Sequence, residues 1–335
     1  MPRPIFVLIN PNAGRHRRPA DEARVARILG SRGLVQATSD LTEVSSAVGR
    51  MVSEGSEIVA ISGGDGTLGG VLNELLAQLP PGAALPALLP TNSGTIDFVA
   101  KKVGIRGSIE QVLGRLVRSV EQGQPVPTVE VDSLMLEGTW RREGQSQRFS
   151  RIGFALAAGG IGQRFFAKYY SEPQLGASAI VRVVAQAVAS YALGRVPVRV
   201  PARLLEYGRD VFSPTLARVT IDGVAVEGER HGAIHAGAFE VSLGGVFRVF
   251  PLARERGALH FQAGEIVPEE MIFALPSLVR GSRIPSKRLV ETRGQRLHIE
   301  ARGPELLAPI LDGEPLEHVE TLTVTLGPRV PIAKI

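Results

Sequence analysis

Short apolar runs alternate with amphipathic stretches over the first third of the chain. Residues 5–10 form an unbroken apolar run closed by asparagine, the pattern of a strand buried on both faces. Residues 20–30 place Val25, Ile28 and Leu29 on one side of a helix. Strands are predicted again at 34–38, 57–61 and 85–89, and helices at 44–54, 68–79 and 95–103. Strands separated by helices predict a parallel sheet covered on both faces.

The pattern changes near residue 125. Residues 123–127 are a Pro-containing connector, and β-type segments dominate beyond it: 129–136, 148–157, 196–200, 216–221, 237–242, 259–263 and 295–300. Asp222-Gly223 between two such runs is a hairpin signal. Helices are expected only at 177–193 and 268–279. The expected architecture is α/β plus β. An α/β nucleotide-binding domain with a parallel sheet spans 1–127, and a mainly antiparallel β-sandwich spans 128–317. The final segment, 318–335, is expected to return to the first domain.

Hydrophobic residues make up 44% of the 335 positions and charged residues 21%, a globular balance. There are no cysteines, which rules out disulfides and thiolate metal sites and fits a reducing cytoplasm. The apolar run at 5–9 is too short for a signal-peptide core, and Arg182 and Gln186 interrupt the longest apolar stretch, 175–193. A cytoplasmic protein, at most peripheral at a membrane, is expected. Net charge is +5, but only 5% of residues are aromatic, and no basic–aromatic interleaving points to nucleic acid as a partner. Basic residues cluster at Arg15, Arg17 and Arg18, and again at Arg280, Arg283, Lys287 and Arg288, where an anionic membrane surface is a suitable partner.

The strongest chemical signal is Gly63-Gly64-Asp65-Gly66-Thr67, between a predicted strand and a predicted helix. Its glycines let backbone amides approach a ligand, and the helix N-terminus behind them suits phosphate. The loop also fits Gly64-x-Gly66-x-x-Gly69, but no acidic ribose-binding residue follows, which disfavours a dinucleotide. A carboxylate at Asp65 suits a phosphate site only where a cation accompanies the phosphates or a proton is moved, as in Mg²⁺–ATP chemistry. Asn10-Pro11-Asn12-Ala13-Gly14 and Asn92-Ser93-Gly94-Thr95 leave other strands of the same sheet, at the edge where such folds bind ligands. A metal site at His231 and His235 with Glu229 is disfavoured, because these residues lie in a Gly-rich β-type stretch.

The set Asn10-Pro11-x-x-Gly14, Gly63 to Thr67, Gly94-Thr95 and Asp312-Gly313-Glu314 resembles the diacylglycerol kinase catalytic-domain family, which includes soluble bacterial lipid kinases and the sphingosine and ceramide kinases. The resemblance implies two domains with ATP held on the first and a lipid admitted by the second. It implies ATP contacts from Asn10, Pro11, Asn12, Ala13, Gly14, Thr38, Gly63, Gly64, Asp65, Gly66, Thr67, Gly94, Thr95 and Asp312. Glu314 matches the general base, and Asp65 a carboxylate that supports catalysis or holds Mg²⁺ with the ATP. The implied reaction is phosphoryl transfer from ATP to a hydroxyl of a lipid such as diacylglycerol or a sphingoid base. An NAD kinase and a non-catalytic nucleotide or lipid sensor are the alternatives, and a homodimer is left open.

Four departures from the family pattern stand out. Asp97-Phe98 stands where Asn-Asp is usual, and Gly69 where Asn is usual. Ala157 and Arg164 replace an expected Asn and Asp. Arg256-Gly257 replaces the Asp-Gly of a structural Mg²⁺ site.

Overall fold

The computed structural model describes residues 5–13, 22–197 and 199–335, which divide into two compact units, 1–131 with 329–335 and 132–328. In the first, the chain runs β1 (Ile5–Ile9), α1 (Glu22–Leu29), β2 (Gly33–Ala37), α2 (Leu41–Ser53), β3 (Ile58–Ser62), α3 (Asp65–Gln78), β4 (Ala87–Pro90), α4 (Phe98–Lys102), α5 (Ile109–Glu121) and β5 (Thr128–Val131). The second unit contributes β6 (Leu134–Arg142), β7 (Gln145–Gly153), β8 (Ala155–Gly160), α6 (Ile161–Tyr170), α7 (Ala177–Leu193) and α8 (Ala202–Val211). Then come β9 (Thr215–Ile221), β10 (Val224–Ala225), β11 (Arg230–His231), β12 (Ala233–Gly237), β13 (Val241–Leu243), β14 (Phe247–Val249) and β15 (Leu259–Gly264). It closes with α9 (Pro268–Phe273), α10 (Leu275–Arg280), β16 (Leu289–Gly294), β17 (Arg296–Ala301), β18 (Ile310–Leu311), β19 (Glu314–Pro315) and β20 (Val319–Leu326). The last strand, β21 (Val330–Ala333), belongs to the first unit.

The first sheet has the order β2-β1-β3-β4-β21-β5, parallel except for the β21–β5 pair. Every residue of β1 and β3 is buried, as their continuous apolar runs require. The chain leaves β1 toward β2 and leaves β3 toward β4 on the other side. The carboxyl ends of β1 and β3 therefore form the switch point of the sheet, where open α/β folds take their ligands.

Two large antiparallel sheets, β10-β9-β17-β20-β6-β7 with β11 on β9, and β16-β15-β12-β8-β18-β19, build the second unit together with the two-stranded β13-β14. The two large sheets are joined where β7 runs through Phe154 into β8, and where the Gly160 amide donates to the Thr215 hydroxyl at 2.9 Å. Asp222 and Gly223 take φ of 50° and 82° and close the expected hairpin between β9 and β10.

The strand expected at 196–200 is absent among the described residues there, Val198 lying outside them. Pro197 and Pro201 deny this run the amides a ladder needs. The helix expected at 95–103 begins only at Phe98, because Asp97 adopts φ 52°, ψ 48°. Three helices went unrecognised in the sequence: α5, α6 and α8. The signal for α5 is plain in retrospect, a capping box of Ser108 and Gln111 ahead of buried Ile109, Val112, Leu113, Leu116 and Val117. The strand at 319–326 pairs with β6 and β17 inside the second unit, and residues 329–335 make the return to the first.

Candidate functional site

Three loops meet at the switch point. After β1, the Asn10 amide donates to the Ser62 carbonyl at 2.8 Å, tying the loop to the end of β3. The Asn10 side chain donates from Nδ2 to the Thr67 hydroxyl at 2.9 Å and accepts at Oδ1 from the Asn12 amide at 2.9 Å. Both ends of the side chain are thus used within the protein. Asn10 braces the first turn of α3, and Pro11, Asn12 and Ala13 form the turn that it holds. Gly14, with Arg15, Arg17 and Arg18, lies outside the described residues.

After β3, Gly63 and Gly64 lead into α3, whose first turn carries Asp65, Gly66 and Thr67. The first helical bond is made by the Leu68 amide to the Gly64 carbonyl, so the amides before it have no carbonyl within the helix to bond. Those amides and the positive end of the helix are suited to an anion. A Cβ on Gly63 would lie 2.5 Å from the Thr67 side chain, so only glycine lets that threonine fold back over the loop.

After β4 comes the loop carrying Gly94 and Thr95. A Cβ on Gly94 would lie 2.3 Å from the Cα of Gly64, so the two loops touch backbone to backbone. A short chain of hydroxyls links them, with Thr91 Oγ1 and Ser93 Oγ 2.8 Å apart and Ser62 Oγ donating to Ser93 Oγ at 3.3 Å. Thr38, at the end of β2, is buried, and its hydroxyl has no partner among the described residues. A buried hydroxyl without a partner is a costly group to keep, and a polar ligand is one thing that satisfies it.

Asp65 resolves a conflict raised by the sequence, in which a carboxylate stands beside amides meant for an anion. Its carboxylate accepts from the Phe98 amide at 3.1 Å and the Val99 amide at 3.2 Å, and so caps α4. Asp97, which precedes that helix, turns back to accept from the Gly94 amide at 2.8 Å. Both acids are buried. Burial first, and the Asp97 charge second, push the Asp65 carboxyl up to about 7 against the pull of the two amides. In the sequence Asp97 is only a departure from pattern; in the structure its charge acts on Asp65. Two buried carboxylates repel unless a proton or cation intervenes, and Mg²⁺ is commonly held by one or two carboxylates together with phosphates.

The second unit holds the other candidate residues. Asp312 and Gly313, with φ of 51° and 95°, form the two-residue turn between β18 and β19. The Asp312 carboxylate accepts from the Phe154 amide at 3.0 Å and the Ala155 amide at 2.8 Å, while the Asp312 amide donates to the Ala155 carbonyl at 2.9 Å. This fastens the turn to the β7–β8 crossover. Glu314 follows on β19, exposed, with no hydrogen-bond partner for its carboxylate among the described residues. The Tyr170 hydroxyl lies over Gly313, 2.4 Å from where a Cβ would stand. Sequence reasoning had no route to Tyr170, because its helix was not recognised.

Residues 4–128 match the diacylglycerol kinase catalytic domain. The match takes in all three loops and Thr38, and agrees with the family read from the motifs. Two crystal structures of proteins from Bacillus anthracis str. Sterne share the fold along almost the whole chain, one described as a diacylglycerol kinase and the other put forward as one. The first aligns with a TM-score of 0.59 at 14% identity, covering 99% of this chain and 97% of its own. The second aligns with a TM-score of 0.64 at 14% identity, covering 97% of this chain and 94% of its own. No curated protein matches the sequence. The α/β unit followed by antiparallel sheets is thus the architecture of this kinase fold.

Among the described residues no group of three or more His, Asp or Glu side chains is arranged to hold a metal ion. His231 and His235 lie on successive strands. His235 Nδ1 is 3.1 Å from Gln262 Oε1, and burial pushes the His235 imidazole down to about 4. Gln262 in turn donates to Glu291 at 3.0 Å, which makes a buried polar row across β12, β15 and β16. Arg256 and Gly257 lie in a turn whose Gly257 amide donates to Asp132 at 2.7 Å. Arg164, where an acid was expected, donates to the Ser213 carbonyl at 2.9 Å and lies 3.5 Å from Asp210. No helix among the described residues is long and apolar enough to cross a membrane.

Proposed function

We propose that the chain is an ATP-dependent kinase that phosphorylates a hydroxyl group of a lipid. One observation carries the reading: the open N-terminus of α3, set among glycines at the switch point of the sheet, lies in the segment that matches the diacylglycerol kinase catalytic domain. In this reading the amides of the Gly63–Thr67 loop take the ATP phosphates, Gly94 keeps the neighbouring backbone close, and the Thr38 hydroxyl finds its missing partner in the nucleotide. Asn10 and Asp312 act by holding their turns in shape. Mg²⁺ bound with ATP would neutralise phosphate charge, and Asp65 with Asp97 are the acids that would hold it.

Glu314 is the proposed general base. Its carboxylate takes the proton of the acceptor hydroxyl, the freed oxygen bonds to the γ-phosphorus, and the bond to the β–γ bridging oxygen breaks, with its electron pair leaving on ADP. A base for this step needs an available carboxylate, and Glu314 has one, whereas Asp312 is committed to backbone amides. The acceptor proposed is a lipid such as diacylglycerol or a sphingoid base, met at a membrane surface.

The test is transfer from γ-labelled ATP with Mg²⁺ to a panel of lipids in mixed micelles. Label is expected in the organic phase with one lipid class, and is expected to vanish in Glu314→Gln. Label in NADP from added NAD, with none in lipid, would overturn the lipid reading in favour of an NAD kinase. ATP binding without any transfer would leave a sensor.

A further inference from the structure

The helix pair α9–α10 has more apolar surface than its packing uses. Ala274 ends one helix and begins the next at φ −80°, ψ −10°, so the backbone stays helical from Pro268 to Arg280. One face is buried: Met271 and Ala274 pack with Ala233, Ile266, Ile284 and Leu289, and Leu278 lies against them. The opposite face presents Phe273, Pro276 and Val279, at helical spacing of three, with Arg280 beside them. Phe273 is 80% exposed, the highest value of any large apolar side chain described, and Val279 is 52% exposed. A helix apolar on both faces is not what a water-facing segment requires.

Charge surrounds this stripe unevenly. Between residues 268 and 290 the chain carries Arg280, Arg283, Lys287 and Arg288 against Glu269 and Glu270. Both acids are engaged. Glu269 pairs with Arg195, and Glu270 accepts from the Ser286 hydroxyl at 3.0 Å. That last bond brings the 281–288 loop back beside α9. Arg280 and Arg283 therefore stand near the end of α10, and Lys287 and Arg288 near the start of α9. Arg283 donates to the Glu291 carbonyl, yet its side chain stays 64% exposed; Arg280 and Lys287 have no counter-ion among the described residues.

We infer that the α9–α10 face docks on an anionic lipid bilayer, with Phe273 and Val279 entering the headgroup boundary and the cations at both ends meeting acidic headgroups. The apolar stripe is narrow, three side chains, whereas a stable protein interface buries on the order of 1,200 Å² or more. A bilayer needs no shape complement. It needs a few inserted apolar groups and a basic surround, which is what this face offers.

The test is co-sedimentation of the full chain with sucrose-loaded vesicles of equimolar phosphatidylglycerol and phosphatidylcholine, and with phosphatidylcholine alone, without ATP or any acceptor lipid. Binding is expected to the anionic vesicles only, and is expected to weaken as salt rises from about 0.1 M to about 0.5 M. Phe273→Asp combined with Val279→Asp should lower the bound fraction at least roughly tenfold, and Arg280→Glu or Lys287→Glu about fivefold each. All four side chains are exposed, so an unchanged thermal melt is expected to accompany the loss. Wild type that fails to sediment with anionic vesicles, or a double variant that binds like wild type, overturns the inference. Self-association lost in the double variant, with no vesicle binding, would instead assign the face to a second copy of the chain. The readout involves no phosphoryl transfer, so its failure and the failure of the kinase reading are told apart.

Discussion

The Asp65 carboxyl is the group whose behaviour the structure specifies most sharply. It is buried, lies beside Asp97 and is pushed up to about 7, whereas an unfolded chain ionises its aspartates near 4. The native state therefore holds this proton more tightly than the unfolded state does. Stability attributable to Asp65 is fully present below pH 4 and is lost as pH rises through about 7. Such a rise corresponds to on the order of 4 kcal/mol, more than half of which falls between pH 5 and pH 8. Asp65→Asn has no proton to lose. It keeps one acceptor for the Phe98 and Val99 amides but faces the other with an NH₂, at a cost of about 1–3 kcal/mol. The variant should therefore be less stable than wild type at pH 5, and the gap should close or reverse by pH 8. Urea unfolding at several pH values measures the gap, and carbon-13 titration of the Asp65 carboxyl measures the midpoint directly. A gap constant from pH 5 to pH 8, or a midpoint below 5, would show that the amide bonds outweigh burial and refute the reasoning.

Other consequences are open to equally direct tests. Gly94→Ala places a Cβ 2.3 Å from the Gly64 Cα, so it should cost about 1–3 kcal/mol in a thermal or urea melt and weaken binding of a fluorescent ATP analogue. Thr38→Val removes a buried hydroxyl with no described partner; the apo protein should become more stable by about 1 kcal/mol while nucleotide affinity falls, and an unchanged affinity would take Thr38 out of the site. Asp312→Asn and Glu314→Gln should separate structure from chemistry two residues apart. The first weakens acceptance from the Phe154 and Ala155 amides and lowers the melting temperature, and the second leaves the melt unchanged and abolishes transfer.

Legibility in the sequence followed the range of the forces involved. The strands β1, β3 and β4 were readable because burial on both faces demands an unbroken apolar run, a local property of a few residues. The turn at Asp222-Gly223 was readable because positive φ selects residue types directly. The glycines of the candidate loops stood out for a related reason, since a Cβ at Gly63 would meet the Thr67 side chain and one at Gly94 the Gly64 backbone. What each acid does inside those loops was not. Asp65 and Asp312 have the same local look, an acid in a glycine-rich turn, which by itself suggests a group facing a nucleotide. In the structure each one's carboxylate satisfies backbone amides distant in sequence, 33 and 34 residues away for Asp65 and 157 and 158 for Asp312. Their partners are set by tertiary packing, which no window of sequence contains. Glu314 is the counter-case, because a carboxylate two positions along the same turn has no described partner. A buried acid must be paid for by donors or by a proton, while an exposed one remains available for chemistry. That difference, invisible in Asp312-Gly313-Glu314 as a string, makes Glu314 rather than Asp312 the residue on which the proposed proton transfer depends.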